Sequence, residues 1–289
     1  MSGDVRSSGG APTVMRMVLG KRLEDLRKQA GLGYEEAAAA LDVTHSTIRR
    51  MEKAEVSLKI LYVDRLLRMY GVTEPSEIEA FLALVREANQ PGWWHRYRDV
   101  LPDWFSAHVS LEVEAALIRA YEPHYVHGLL QTPDYARAVL RAGLPHAPDP
   151  EINRLVDLRV ERQSLLSRDN APRFWGVMDE TVFRRAADRK VLRAQVDRLI
   201  EACAQPNVTL QVMPFAAGPH PAMYGPFCIF RFRFQELPDI VYGESLTGAV
   251  YIDDRDDVSV YLEALDRMCA QAAPAPSTEA YLSGIRKEI

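Results

Sequence analysis

The chain has 289 residues, 47% of them apolar and 26% charged, with a net charge of −5. That is an ordinary globular composition, with enough length for two domains and real cores. It excludes a membrane-spanning protein, because no apolar run approaches the ~20 residues a span needs. It also argues against a zinc ribbon or a disulfide framework: Cys203, Cys228 and Cys269 lie far apart without a CxxC, which fits a reducing cytoplasm.

Residues 1–15 are Gly/Ser-rich, lack the apolar segment of a signal peptide and read as a disordered lead-in. Leu19, Leu23 and Leu26 then stripe a helix that ends at Gly31, a good residue to close one. A short helix over about 33–41 follows, with Ala37, Ala38 and Leu41 inward and small enough for close helix packing. Asp42-Val43 forms a corner. Thr44 is placed to cap the next helix with its hydroxyl. On that helix Ile48 and Met51 point inward, leaving His45, Ser46, Thr47, Arg49 and Arg50 for solvent or a partner. A helix over about 58–70 supplies Leu61, Leu66, Leu67 and Tyr70 to the same core. Two short helices about a tight corner, the second with a basic outer face, are the pattern of a DNA-reading helix-turn-helix. The alternative is an ordinary helical hairpin.

Over residues 16–72 the chain resembles the Xre/Cro-like family of helix-turn-helix regulators. The matching residues are Leu26-Arg27, Ala30-Gly31-Leu32, Glu36, Leu41, Val43, Ser46-Thr47-Ile48, Arg50 and Glu52. The resemblance implies that His45, Ser46 and Arg50 face base edges, that Thr47, Arg49 and Lys53 lie nearer phosphates, and that Arg27 and Glu52 form a salt bridge. The family's phosphate-holding Ser/Thr-Gln at the start of the second helix is replaced here by Gly33-Tyr34, where the Tyr34 hydroxyl is the remaining candidate. Ala54 stands where that family commonly has Gly. Charge is divided accordingly. Residues 1–72 hold 12 Lys/Arg against 9 Asp/Glu, and the remainder 23 against 31. A mildly basic head on an acidic body fits a DNA-reading module joined to another function, and so modest a charge favours two heads per complex.

Ser76 to Glu79 reads as a capping box opening a helix to about Asn89. Trp93, Trp94, Tyr97, Trp104 and Phe105 then cluster in a short stretch, read either as packing between head and body or as a partner-binding surface. Residues 110–121 read as an amphipathic helix with Val113, Ala116, Leu117 and Ala120 on one face. Further helices are expected over 132–143, opened by Thr132-Pro133, and over 151–168. The period then changes. Runs at 172–180, 208–215, 227–234, 239–245 and 248–254 read as strands, with helices at 190–205 and 258–271. FRFRF within the third run alternates as a strand with one buried and one wet face does. On its inward side the closing helix carries Val260, Leu262, Leu265 and Met268. Residues 273–289 read as a loosely held tail, with room for one last helix.

The body has its own resemblance, on WW..Y.DVLPDWF, YEP..V.GLLQTPDYARA, RFWGVMDE and VTLQVMPF. These runs are similar to the C-terminal domain of unknown function found in actinobacterial Xre-type regulators. Such regulators are described as antitoxin-like and are often encoded beside a very small protein. The resemblance implies a regulator whose body receives a signal or partner.

Chemistry is sparse. His124 and His127 offer two imidazoles without a third ligand in sequence, and Asp253–Asp257 lacks the Gly and distal Glu of a calcium loop. Asp179-Glu180 ends a strand, where catalytic carboxylates sit and where helix caps sit, and the cap is the favoured reading; no phosphate or dinucleotide loop is found. A ligand pocket lined by Trp175, Tyr242 and Glu244 is the enzyme-like alternative. The reading is therefore an all-α helix-turn-helix domain at 16–74, a connecting helix and aromatic linker at 75–109, and an α+β domain at 110–272. In function it is a cytoplasmic, non-enzymatic transcriptional regulator with no cofactor, metal or catalytic residue. It binds double-stranded DNA as a homodimer; alternatively, the body sequesters a small partner protein and the complex regulates its own gene.

Overall fold

The computed structural model describes residues 14–185, 188–234 and 237–289, apart from the Asp103 side chain. The expected lead-in falls, up to residue 13, outside the described residues. The chain forms two compact units, the first running to Arg96 with Pro102–Glu114, the second holding Tyr97–Leu101, Ala115–Arg233 and Pro238–Ile289.

Five helices, α1 (Val14–Gln29), α2 (Tyr34–Leu41), α3 (His45–Glu52), α4 (Ile60–Met69) and α5 (Pro75–Ala88), build the head. Leu19, Leu23, Ala37, Ile48, Met51, Leu66 and Leu67 share one core with Ile78, Phe81 and Val85 of α5, so α5 completes the head. Its Asn89 side chain donates to the Leu58 carbonyl at 2.7 Å, tying the end of α5 to the approach to α4. Local details depart from the sequence expectations. Leu61 is 74% exposed, and Val63 takes the inward place, because α4 starts at Ile60 and its face is set from there. Glu74 rather than Ser76 precedes the first turn of α5, with Pro75 at the position that needs no N–H. Thr44 does sit at the start of α3, but its hydroxyl pairs with those of Ser46 (2.8 Å) and Thr47 (3.0 Å), while its carbonyl accepts from Thr47 N–H. The corner is made by Asp42 in the left-handed region (φ 55°).

A sixth helix, α6 (Asp103–Glu114), belongs to the first unit, where Ser110 Oγ accepts from Val14 N–H at 3.1 Å. It passes without a loop into β1 (Ala115–Glu122). The helix expected over 110–121 is thus half strand. Val113, Ala116, Leu117 and Ala120 fit a helical stripe, but Ile118, Ala120 and Glu122 fit an alternating one equally well, and a short apolar run does not discriminate. Tertiary demand decides. β1 lies between β2 (Arg173–Asp179), which it pairs in parallel, and β4 (Phe227–Phe232), antiparallel to it, with Ile118 and Ala120 fully buried.

The remaining elements are α7 (Pro133–Gly143), α8 (Asp149–Gln163), α9 (Arg189–Cys203), β3 (Val208–Met213), β5 (Ile240–Ser245), β6 (Gly248–Ile252), α10 (Arg255–Gln271) and α11 (Thr278–Glu288). The mixed sheet has six strands in the order β3-β2-β1-β4-β5-β6, one more than the five runs read as strands, β1 being the addition. Against one face α10 packs Val258, Leu265 and Met268 on Tyr121, Val177, Ile229 and Val241. On the other face His127 packs on Phe174, and α9 runs along β3. Because both faces are covered, β4 is buried from Phe227 through Phe230; the expected alternation holds from there on, with Phe230 and Phe232 buried and Arg231 and Arg233 exposed. Val260 of α10 points outward, 66% exposed, and Val258 takes its place. The closing segment is α11, with Leu282 and Ile285 buried, packed on α9. It is no loose tail.

α1 lies close on the end of α3 at Gly20. A Cβ at Gly20 would run into the Glu52 carbonyl oxygen and sit 3.0 Å from that of Met51. In an exposed helix Gly→Ala stabilises by about 1 kcal/mol. Here Gly20→Ala is expected to destabilise by about 1–3 kcal/mol through overpacking, read as a lowered melting temperature. An unchanged or raised melting temperature would show that the helices part without cost.

Candidate nucleic-acid interface

The interface is built from α3. Its inward residues, Ile48 and Met51, are fully or nearly fully buried, and its last residue, Glu52, is buried too. The 3.6-residue period then leaves Ser46, Arg50 and Lys53 along one outer line and His45 and Arg49 along the next. All five side chains are exposed; Thr44 is exposed and Thr47 half-buried. Arg50 Nε lies 3.7 Å from the Glu55 carboxylate, with both side chains about half exposed (47% and 53%). A pair that open to water is worth little, so the guanidinium can exchange it for another acceptor.

Behind this face, Arg27 of α1 meets Glu52 in two parallel hydrogen bonds, Nε to Oε1 at 2.7 Å and Nη2 to Oε2 at 2.8 Å. Both residues are 5% exposed. Arg27 Nη1 also donates to the Leu32 carbonyl at 2.9 Å, and its guanidinium lies over the Tyr34 ring, 4.1 Å from the centroid. The Glu52 hydrogen bond drives the Arg27 pKa further up, against the desolvation that opposes it. Tyr34, half-buried at the first position of α2, is therefore held as a platform under Arg27. Beside it, Gly33 N–H donates to Glu36 Oε2 at 2.9 Å. After α3, Ala54 takes the left-handed conformation (φ 56°) usually left to Gly.

The aromatic residues singled out from the sequence fall into small groups. In the first unit Trp93 stands edge-on to Trp94 at 6.0 Å, Trp94 Nε1 donates to Ser106 Oγ at 3.0 Å, and Trp104 stands edge-on to Phe105, which stacks on His108. In the second, the Tyr97 hydroxyl donates to Glu161 at 2.8 Å, and Arg154 lies over its ring.

His124 is exposed and His127 buried, so the two do not form a pair; His127 Nδ1 accepts from Leu129 N–H at 3.3 Å. Asp254 caps α10 by accepting from Asp256 and Asp257 N–H, and Asp179 accepts from Thr181 N–H. The acidic run at 253–257 thus opens a helix. Trp175, Tyr242 and Glu244 do not line one pocket. Trp175 is in register with Arg119, which pairs with Ile229 and so with Val241, the neighbour of Tyr242. Successive strand residues face opposite ways, which puts Trp175 on one side of the sheet and Tyr242 and Glu244 on the other. A separate cavity of about 460 Å³ lies between the 221–227 loop and α10, lined by Ala222, Tyr224, Phe227, Gly243, Val260 and Tyr261.

Two family models match the chain. A helix-turn-helix domain matches residues 18–81, and a domain of unknown function, DUF5753, matches residues 105–284. Over 54 residues the chain is 41% identical to the HTH-type transcriptional regulator PuuR of Escherichia coli K12 and, to the same extent, to that of Shigella flexneri. This similarity covers 19% of the chain and 29% of each relative, less than a third of their length. No solved structure matches. Among the described residues no helix is long and apolar enough to cross a membrane.

The Arg27–Glu52 pair is open to a double-mutant test. Arg27→Met or Glu52→Leu alone leaves one buried charge without its partner and is expected to cost about 3–5 kcal/mol. Together they should cost far less than the sum, measured by urea denaturation; additive losses would mean that the two side chains act independently.

Proposed function

The chain belongs to the DUF5753 family and carries a helix-turn-helix domain ahead of that domain, and from this premise we propose that it is a transcriptional regulator that reads a specific operator with α3 as a homodimer. The observation that carries the reading is the outer face of α3: five exposed polar or basic side chains on a helix whose other side is locked into the head core. Two such helices, held about one turn of duplex (~34 Å) apart, each probe half of an approximate palindrome.

Within a major groove Arg50 reads a guanine by a bidentate pair, replacing its contact with Glu55. His45 and Ser46, at the start of the helix, add weaker discrimination. Thr47, Arg49 and Lys53 contact phosphates, which position the helix without specifying sequence. Thr44 and the Tyr34 hydroxyl, at the starts of α3 and α2, lie where helix N-terminal N–H groups attract phosphate. The DUF5753 body then sets the dimer and receives the signal.

The sheet supplies a surface for a second copy. At one edge, β3 is covered by the chain itself, Ala273 N–H donating to Val212 carbonyl at 2.9 Å and Thr278 Oγ1 to Leu210 carbonyl at 2.7 Å. At the other edge, among the described residues, β6 pairs only with β5 and shows Val250 (58% exposed) and Tyr251 (37%). A strand edge left bare in this way is a template for another strand, and antiparallel pairing of two β6 edges is self-complementary.

Competition binding on an operator library at two salt concentrations tests the reading head. Arg50→Ala is expected to cost roughly 1–3 kcal/mol and relax preference at one base pair; Lys53→Ala should weaken all sequences alike and lower the salt slope by about 1. Identical behaviour of the two variants would remove the assignment. For the dimer, Val250→Lys places a charge on the edge, the device natural sheets use against pairing. It should shift the mass seen in light scattering from two chains to one and weaken operator binding. A variant that stays dimeric would rule out β6.

A further inference from the structure

The body contains a buried group of metal-binding side chains that the DNA-reading function does not use. Glu122 ends β1, and Cys228 pairs across from Ala120 on β4. Glu122 lies two residues beyond Ala120, so both side chains leave the same face of the sheet. His127, on the turn after β1, comes down on that face, its ring packed against Phe174 at 4.9 Å between centroids. One carboxylate oxygen, one imidazole nitrogen and the Cys228 sulfur all lie within 4.8 Å of one another. All three residues are buried, at 8%, 4% and 5% exposure.

The spacing matches a coordination polyhedron. Zinc holds a thiolate at about 2.3 Å and an imidazole nitrogen at about 2.0 Å, so the tetrahedral edge between them is roughly 3.5 Å. Cys228 Sγ and His127 Nε2 are 3.6 Å apart. One sulfur, one nitrogen and one oxygen donor form a mixed set that zinc accepts, whereas magnesium and calcium prefer oxygen alone.

We propose that Glu122, His127 and Cys228 form a three-ligand site for a divalent transition cation of zinc's chemistry, its fourth position left for water or a small ligand. Binding releases the thiol proton of Cys228 and the proton of the Glu122 carboxyl. The cation takes Nε2 of His127, moving the imidazole proton to Nδ1 in exchange for the 3.3 Å bond from Leu129 N–H. The site joins β1, β4 and the turn after β1, so the cation clamps the centre of the sheet. The inference is independent of how the head binds DNA.

The test is titration of the full-length, chelator-treated chain with Co²⁺ alone, followed by displacement with Zn²⁺. One equivalent of Co²⁺ should bring up a thiolate-to-cobalt charge-transfer band in the near ultraviolet, lost on adding Zn²⁺. The band should vanish in Cys228→Ser and persist in Cys203→Ser and Cys269→Ser. Glu122→Gln keeps the side-chain shape and should weaken binding by about tenfold or more, the scale on which metal-site substitutions act. Far-ultraviolet circular dichroism of each apo variant monitors the fold. Absence of the band in the wild type, or its survival in folded Cys228→Ser, overturns the site and leaves a hydrogen-bonded Cys–His pair only. If Cys228→Ser does not fold, Glu122→Gln decides: unchanged affinity overturns the proposal, and weakened affinity supports it.

Discussion

The head depends on how α1 grips the far end of α3. Gly20 lets the two backbones close to a distance no larger side chain permits, and a few turns along the same helix Arg27 reaches Glu52 through two short hydrogen bonds. A buried ion pair is a poor source of net stability, because desolvating both charges offsets most of their attraction. Its value here is geometric. A planar guanidinium against a planar carboxylate accepts one orientation, and with Leu32 carbonyl and the Tyr34 ring occupying the rest of Arg27, rotation of α3 about its own axis breaks several contacts at once. The outer face of α3 is thereby presented at one angle, which a reader of base edges requires.

Much of the head was legible in sequence because its information is local. Each helix is short, each has a stripe of apolar residues at helical spacing, and the turns carry recognisable residues. Where that reading slipped, the reason was also local. Leu61 was assigned inward on spacing, but α4 begins at Ile60 after an extended Lys59, and the register of its face follows from that start. Thr44 occupies the expected place while its hydroxyl bonds to neighbouring hydroxyls instead of backbone, an alternative that a polar cluster of Thr44, Ser46 and Thr47 offers and periodicity does not reveal.

The body was less legible because its structure is set by partners distant in sequence. Residues 115–121 satisfy helix and strand patterns alike; pairing with β2 and β4 settles the matter, and neither pairing leaves a trace within the segment. The same blindness explains the functional residues. Sequence spacing sets His127 beside His124, three residues away, whereas its neighbours in space are Glu122 and Cys228, 106 residues apart from each other. Side-chain chemistry alone puts Trp175, Tyr242 and Glu244 in one group, and the register shows that the sheet separates them.

The two units also divide the charge in a way that bears on selectivity. The head, to residue 72, has a small positive excess, and several of its cations are held in ion pairs: Lys21 with Glu24 and Asp25, Lys28 with Glu24, Arg68 with Asp64 and Arg27 with Glu52. Arg49 and Lys53 remain exposed on α3 beside Arg50 and its loose contact to Glu55. Non-specific affinity grows with the number of phosphates neutralised, so a head with so small a positive excess is expected to hold random duplex weakly. Because the Arg50–Glu55 contact is long and open to solvent, giving it up costs little, and on the proposed reading a guanine accepting two hydrogen bonds would replace it. On the proposed reading, the free energy of binding is concentrated in base contacts and in the presence of two heads, and discrimination between sites follows from the low net charge of each head.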